Sequence, residues 1–586
     1  MRNGLLIFLL IINSIVYSQN EIYINYVERP IEYEMYSAPD SLGNVKPVEF
    51  PHQNKSINDL LIPYPIVLIH GLAGDASTWN TFTYFLRTQY NFNYGGRFDF
   101  CLNYDLDNTV ANLDYYDIPG ADMAIFTPTL VVGEYYKINF DVGYNGMYFE
   151  GDNSDYDSQY DVNSNQQAIM KQGKALRWAI YKILEETGAD KVILMGHSMG
   201  GLTAREYLQN SDLWQPDGKH HVAKLITTGT PHGGSNATSS GTGVGSDVNE
   251  KLDATRDLRR DYYWSDAPGV YLFGGVESNS VMWNNLVYDY KNIDVNCNGI
   301  IGEVITGLNE KPIYTNLAYS CIIGTCSGCI LDTYTGGSDG VVRDYCADLK
   351  TYYNIQVDRF YQHSSATIQT HTDLPKQIYE NMQGLDEANE LNLAYEIGFD
   401  KTYIGFVTVQ SSDSYSRDYD MYKFTVNNET SVKVNIDNIP VSDFSTCLKD
   451  MQGNIIEEAV YSNSLSSIEF ERPVSQGEYI LEISSFPTTT SYYYPYSYKL
   501  TNTTGINDVS SNKIIIYPNP AKNYFTVKLD NNKDSHLQIL DVTGKVIYQK
   551  NFNKELLVET KNFNNGIYFV RIKNDNNVIT EKIIIE

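Results

Sequence analysis

The sequence predicts an α/β fold, a mostly parallel sheet covered by helices, followed by two all-β sandwich-like domains. From about residue 62 to 384, short apolar runs alternate with stretches at helical spacing, as parallel strands buried on both faces require. After Gly384 the texture turns to alternating polar and apolar residues rich in Tyr, Thr and Ser, the pattern of half-buried antiparallel strands. Length agrees: 586 residues, at about 150 per domain, give three or four domains.

The elements follow in order. Arg2, the apolar run 5–16 and Ser18 read as a signal peptide over residues 1–18, because the run is short for a bilayer that needs about 20 apolar residues. Residues 19–60 are polar and proline-punctuated, a lead-in strand or loop. The α/β domain spans 61–388. Its first strand, Ile66–Ile69, runs out into His70-Gly71. Residues 166–187 place Ile169, Leu176, Ile180, Ile183 and Leu184 at helical spacing and close on Gly188, a C-cap. Strands are predicted at 191–195, 225–228 and 321–323, and a helix at 202–208. Two insertions interrupt the alternation. The first, 97–160, is rich in Asp, Asn and Tyr, with a strand-like run near 129–132. The second, 233–290, opens Gly/Ser/Thr-rich, continues helix-like over 248–262 and ends in aromatic loops. A β-sandwich follows at 390–503, with strands such as 420–426 and 477–481. A polar linker at 501–511 leads to a last all-β module, 511–586.

Composition narrows the partners. With 43 Lys and Arg against 72 Asp and Glu, the net charge is −29, which repels phosphate backbones and excludes a nucleic-acid-binding role. At 42% hydrophobic and 13% aromatic residues the chain has material for packed cores. Six of the seven cysteines lie before residue 350. Cys326-x-x-Cys329, with Cys321 and Cys346, could suggest zinc, but no histidine shares the cluster. In an oxidising compartment disulfides are the expectation, with Cys447 left over.

The chemistry centres on Gly196-His197-Ser198-Met199-Gly200. A nucleophile elbow needs a strand, a tight turn with glycines flanking a serine, then a helix, and all three are predicted here. Ser198 is the candidate nucleophile. A second match, Gly336-Gly337-Ser338-Asp339-Gly340, lacks a preceding apolar strand. An oxyanion hole takes the amide after the nucleophile, Met199, and one from the loop after the first strand, where Leu72 is the natural donor. The acid and base follow the nucleophile in the chain. His371, in a loop feeding the helix-like stretch 376–382, is the candidate base, with His363 the alternative. Asp339, in a glycine-rich turn, is the candidate acid, with Asp332 and Asp344 behind it. His70, His197 and His232 read as supporting residues around the site, and His220 and His221 as surface loop residues. Asp294, Asn296 and Asn298, followed by Gly299, open like a calcium loop. Position 12 of such a loop, however, is Ile305 where a carboxylate is expected, so only Glu303 or Glu310 could complete it. Calcium is the one ion the sequence suggests, and the reaction needs no cofactor.

The α/β region resembles the lipase branch of the α/β-hydrolases, including the group similar to GPI inositol-deacylases. The motifs are His70-Gly71-Leu72-Ala73-Gly74, Gly196 to Gly201, Gly229-Thr230-Pro231-His232-Gly233-Gly234-Ser235 and Ser338-Asp339-Gly340-Val341-Val342. The resemblance implies a triad of Ser198, Asp339 and His371. The departure is the long interval from Asp339 to His371, which keeps His363 in play. Residues 390–500 resemble, more loosely, pre-peptidase C-terminal sandwiches. Residues 511–586 resemble the type A sorting domain of the type IX secretion system, through Tyr517-Pro518-Asn519-Pro520 and Gly566-Ile567-Tyr568. This implies passage across the outer membrane by that machinery, then release or attachment at the cell surface.

The functional expectation is a secreted serine hydrolase acting on lipid or other acyl esters. Its rivals are an adhesin built on a hydrolase scaffold, and an amidase or peptidase with the same triad. Region 233–290 reads as a mobile cover over the site that would meet lipid aggregates. Its hinges would be glycines 233, 234, 241, 243 and 245; its apolar face, Val248, Leu252, Leu258, Tyr262, Tyr263 and Trp264.

Overall fold

The structure, a computed structural model, describes residues 59–102, 123–126, 130–141, 164–235, 253–260, 269–276, 295–297, 302–326, 337–364, 370–408 and, with short gaps, 417–503 and 514–585. It also describes a few short strands before residue 59 and between 281 and 288. The chain divides into two compact units, Met1–Asn502 and Thr503–Glu586.

The first unit is built on strands β1 (Ile66–Ile69), β2 (Tyr94–Cys101), β3 (Tyr135–Asn139), β4 (Val192–His197), β5 (Val222–Thr228), β6 (Ala318–Cys326) and β7 (Asp358–Ser364). They lie in the order β2-β3-β1-β4-β5-β6-β7, all parallel. Met123–Phe126 adds antiparallel beside β2, and Ile24–Tyr26 pairs with it in turn. The helices are α1 (Asn80–Tyr90), α2 (Ile169–Thr187), α3 (Met199–Gln209), the short α4 (Asp253–Asp257), α5 (Val270–Phe273) and α6 (Asp344–Ala347), and α7 (Ile378–Leu385).

The two-residue period of the strands divides the core. Val67, Ile69, Val192 and Leu194 face α2 and α3, packing on Leu176, Ile180, Ile183 and Ala204. Their neighbours Ile66, Leu68, Ile193 and Met195 face the other way, onto Phe82 and Leu86 of α1 and Met382 and Leu385 of α7. Gly188 caps α2 in the left-handed conformation, its N–H on the Leu184 carbonyl.

The sandwich supplies β8 (Tyr395–Glu396), β9 (Thr402–Gly405), β10 (Asp418–Val426), β11 (Thr430–Asp437), β12 (Ser445–Asp450), β13 (Ile455–Val460), β14 (Ser467–Val474), β15 (Gly477–Ser485) and β16 (Tyr496–Thr503). One sheet runs β8-β10-β15-β12-β13, the other β9-β16-β11-β14. Its inward residues, among them Tyr422, Val432, Val434 and Leu481, join the same apolar core as α1 and α7. The second unit has two antiparallel sheets of three and four strands around Phe525, Val527, Leu537, Val570 and Ile583.

Four expectations are corrected, in whole or in part. The stretch 97–160 is not simply an insertion: it holds most of β2 and all of β3, both in the central sheet. Tyrosine-rich composition hid them, because Tyr135 and Tyr136 are fully buried and the Tyr136 hydroxyl donates to the Val131 carbonyl at 2.7 Å. The run 130–132 is not a strand. Within 248–262, α4 covers only Asp253–Asp257; residues 248–252 and 261–262 lie outside the described residues. Cys101, Cys297, Cys321, Cys346 and Cys447 are buried and not in disulfides, so the expected framework does not extend to them, whereas Cys326 is disulfide-bonded; Cys329 lies outside the described residues.

Candidate active site

Ser198 stands between β4 and α3 with φ 53° and ψ −126°, a conformation costly for any residue with a Cβ. The turn closes because its flanking residues are glycines. A Cβ on Gly196 would come 2.5 Å from the Gly200 carbonyl carbon, and one on Gly200 would come 2.4 Å from the His70 oxygen. The sheet thus lifts the hydroxyl clear of its own backbone and aims it at the carboxyl end of the strands.

His371 begins the helical turn His371–Lys376 that leads to α7. Its Nε2 lies 2.9 Å from Ser198 Oγ and its Nδ1 2.7 Å from Asp339 Oδ2. Asp339 holds its other carboxylate oxygen on the Val341 and Val342 amides at 2.9 and 2.7 Å. The Asp339 carbonyl accepts from the Thr370 and His371 amides, both at 3.0 Å. Asp339 and His371 are therefore joined through main chain as well as side chain, across the long interval between them.

His363, by contrast, is exposed on the edge strand β7, with Nδ1 2.5 Å from the Thr325 hydroxyl. Ser338 is buried and its Oγ accepts from the Gly340 amide at 3.0 Å, so it is a turn residue. Asp344 likewise serves its own turn, accepting from the Tyr345 amide, and Asp332 lies outside the described residues.

The turn that carries Leu72 abuts Ser198: a Cβ on Gly71 would stand 2.6 Å from that of Ser198. His70 braces this turn. Its Nε2 accepts from the Phe140 amide at 2.9 Å, so Nδ1 carries the proton and donates to the Gly71 carbonyl at 2.8 Å. Burial holds its pKa below the usual imidazole value. Met199 is the first residue of α3, where amides lack intrahelical partners. His197 lies beside His371, the two ring centroids 4.9 Å apart.

His232 does not reach these groups. It is buried with Nδ1 3.3 Å from Arg205 and Nε2 3.2 Å from the Thr227 hydroxyl. His220, expected at the surface, is buried and accepts from the Val222 amide.

Sequence reasoning quoted Gly229 only as the start of a motif, with no part in the site, and did not single out Gly324. A Cβ on Gly229, at φ 58°, would wedge 3.1 Å from both Asp339 Oδ2 and His371 Nδ1, and one on Gly324 would meet the Asp339 Cβ at 2.7 Å. The signal for the first was its place at the end of β5, beside the Thr-Pro-His-Gly-Gly motif.

The described part of region 253–276 is packed against the hydrolase core. Leu258, Ala254, Val270 and Leu272 are buried with Met199 and Leu202, and Leu72 packs against them. Asp257 accepts from the Ile169 amide at the start of α2 at 2.9 Å, and burial raises its pKa to about 6. Val248, Leu252, Tyr262, Tyr263 and Trp264 lie outside the described residues.

Of the segment read as a calcium loop, Asn296 donates to Glu303 at 2.5 Å, while Asp294 and Asn298 lie outside the described residues; Glu310 accepts from the Gly307 amide instead. Among the described residues, the side chains placed to share a cation are Asp386, Glu387 and Asp420, all buried where α7 meets the sandwich, not at Ser198.

Residues 62–279 match the family described as a PGAP1-like alpha/beta domain, and residues 515–586 match the secretion system C-terminal sorting domain. The first unit carries a PGAP1-like α/β hydrolase domain. The matched span of that domain ends at residue 279, before the strands and loops that bring in Asp339 and His371. The sorting domain indicates secretion or a place at the cell surface and implies contact with the type IX machinery. Among curated proteins, the ulvan lyase NLR42 of Nonlabens ulvanivorans is 33% identical over 73 residues, 12% of this chain and 14% of that one. The alignment thus spans about one seventh of that relative. Among solved structures, the lin2722 gene product of Listeria innocua is 14% identical, with a TM-score of 0.30 over 56% of this chain and 95% of that one. A putative cell surface hydrolase of Lactobacillus plantarum is 15% identical, with a TM-score of 0.25 over 54% and 87%.

Proposed function

We propose that this protein is a secreted serine hydrolase that cleaves carboxylic esters, with lipid or other acyl esters as its substrates. The observation that carries the reading is the hydrogen-bonded chain from Ser198 Oγ through His371 to Asp339, at 2.9 and 2.7 Å, on a strained elbow. His371 Nε2 takes the proton of Ser198 as Oγ attacks the ester carbonyl. Asp339 fixes the Nδ1–H tautomer and stabilises the imidazolium. The Met199 and Leu72 amides receive the oxyanion. His371 then returns its proton to the leaving alcohol, and water, activated by the same imidazole, releases the acyl-enzyme. No cofactor enters these steps. Apolar residues beside Met199 and Leu72 suit an acyl chain. We further propose export through the type IX machinery, followed by release or surface attachment.

Ser198→Ala should abolish hydrolysis of p-nitrophenyl esters from acetate to palmitate, and labelling by a fluorophosphonate, by about 10³-fold or more, with the circular dichroism unchanged. His371→Ala should act alike, while His363→Ala should leave turnover within twofold. Full activity in Ser198→Ala would sink the reading.

A further inference from the structure

We propose that His197 is a positioning residue for the base: its Nε2–H holds the main chain of His371, so that the imidazole of His371 stays on Ser198 through the proton transfers. The inference rests on the hydrolase reading and adds to it a residue outside the triad.

His371 is gripped at four points. Its two ring nitrogens meet Ser198 and Asp339, and its amide donates to the Asp339 carbonyl. The fourth is its own carbonyl, 3.0 Å from His197 Nε2. A carbonyl can only accept, so this contact assigns the tautomer of His197: Nε2 carries the proton and Nδ1 is bare. The bare nitrogen lies on the side of the oxyanion turn, 3.3 Å from where a Cβ on Gly71 would sit. One ring therefore spans the space between the loop of the base and the turn of Leu72. It is attached directly to the nucleophile, because His197 is the last residue of β4. Motion of the His371 loop away from Ser198 would break this bond and leave the buried N–H unpaired, a loss that typically costs a factor of about 10 to 100 in the population of the competent arrangement.

The ring is also suited to stay out of the proton transfer. Burial, and then the neighbouring His371, press its pKa well below the usual imidazole value. When His371 becomes an imidazolium, a second charge 4.9 Å away would be repelled, so His197 remains a neutral donor across the cycle.

The test uses the full chain and two variants. His197→Phe keeps an aromatic ring and removes the donor; His197→Gln keeps an N–H that can reach the His371 carbonyl. We expect kcat to fall about 10- to 100-fold in the phenylalanine variant with KM within twofold, and the glutamine variant to recover most of the loss. A phenylalanine variant with kcat within twofold of the parent, or a glutamine variant as slow as phenylalanine, would overturn the assignment. Imidazole nitrogen NMR of the unmodified protein separates this from failure of the hydrolase reading. His197 should appear as the neutral Nε2–H tautomer from pH 8 down to 5; an Nδ1–H tautomer, or titration near pH 6.5, would overturn the proposal even in a protein that hydrolyses nothing. Absence of esterase activity and of fluorophosphonate labelling in the parent, with the Nε2–H tautomer present, would instead remove the hydrolase reading and leave the contact standing.

Discussion

The two β regions that follow the hydrolase sheet read alike in sequence and are built differently. Both alternate polar and apolar residues, and both fold as two packed, mainly antiparallel sheets, the short β8 alone running parallel to its neighbour β10. Among the described residues, the core of the sandwich of β8–β16 is continuous with that of the hydrolase: Phe406, Tyr422 and Val434 belong to one apolar cluster with Phe82, Leu86 and Met382. Its strand β9 bonds to the lead-in of the sheet, the Ile404 amide on the Leu61 carbonyl at 2.8 Å, and the Tyr64 hydroxyl accepts from the Glu396 amide at 2.8 Å. Along α1, Phe85 packs edge-on to Tyr493, and Gln89 donates to the Tyr493 carbonyl at 2.9 Å. The terminal module instead closes its core on its own residues and forms a separate compact unit. A sandwich that shares a core with the hydrolase domain folds with it; a module with a private core can fold on its own. Of the helices beneath the sandwich, α1 packs on the turn that begins with His371, and α7 follows directly from that turn.

Truncation should show the largest contrast. A chain ending at residue 389 exposes the α1 and α7 face and should be insoluble or unfolded, with no esterase activity. A chain ending at residue 503 should keep its melting temperature within about 2 °C and its turnover within twofold. A folded, active protein ending at 389 would break the comparison outright.

Single side chains should repeat the contrast at a smaller scale. Tyr492 is buried against Phe85 and Tyr379 at the junction, whereas Phe525 lies in the terminal core. Tyr492→Ala should destabilise the hydrolase unit by about 3 kcal/mol, and Phe525→Ala the terminal module by about 4 kcal/mol. In calorimetry each should move one transition and leave the other in place. Movement of both transitions by either variant would mean that the two units unfold together.

These differences mark what the sequence could carry. The elbow was legible because its glycines and strained serine are local demands. Ser198, the turn after β1 and the Asp339 turn each announce themselves within five residues. The choice of His371 over His363 was not local. It depends on the main-chain bonds that tie His371 to Asp339, and on β7 presenting His363 to solvent. β3 was missed because buried tyrosines look like surface in a composition count. Sharing of a core between hydrolase and sandwich is a long-range property as well: nothing in the alternation of β10 or β15 says whether the inward face meets its own second sheet alone or a helix of another layer too.

The smallest expected effect concerns the carboxylates at that junction, which the terminal module does not match among its described residues. Asp386, Glu387 and Asp420 each bring an oxygen within 4.8 Å of the others. Asp386 Oδ1, Glu387 Oε2, Asp418 Oδ1 and Asp420 Oδ1 are buried without hydrogen-bond partners. Burial, and then mutual repulsion, drive the Asp418 and Asp420 pKa values well above the usual carboxylate range. Lys224 is a nearby cation, but its Nζ donates at 2.6 Å to the main-chain carbonyl of Asp386, not to a carboxylate. Several buried carboxylates lacking a matching cation are costly to ionise, and a hard divalent ion with oxygen ligands removes that cost. Calcium at about 100 times its dissociation constant should therefore stabilise the first unit by about 2.7 kcal/mol, a shift of a few degrees that a chelator reverses. The transition of the terminal module should stay where it is. Asp420→Asn should remove the calcium response of the first unit, since it takes away one ligand charge while nearly preserving shape. An equal calcium shift in Asp420→Asn and in the parent would place the ion elsewhere, and no shift in either would leave these acids as protonated packing between hydrolase and sandwich.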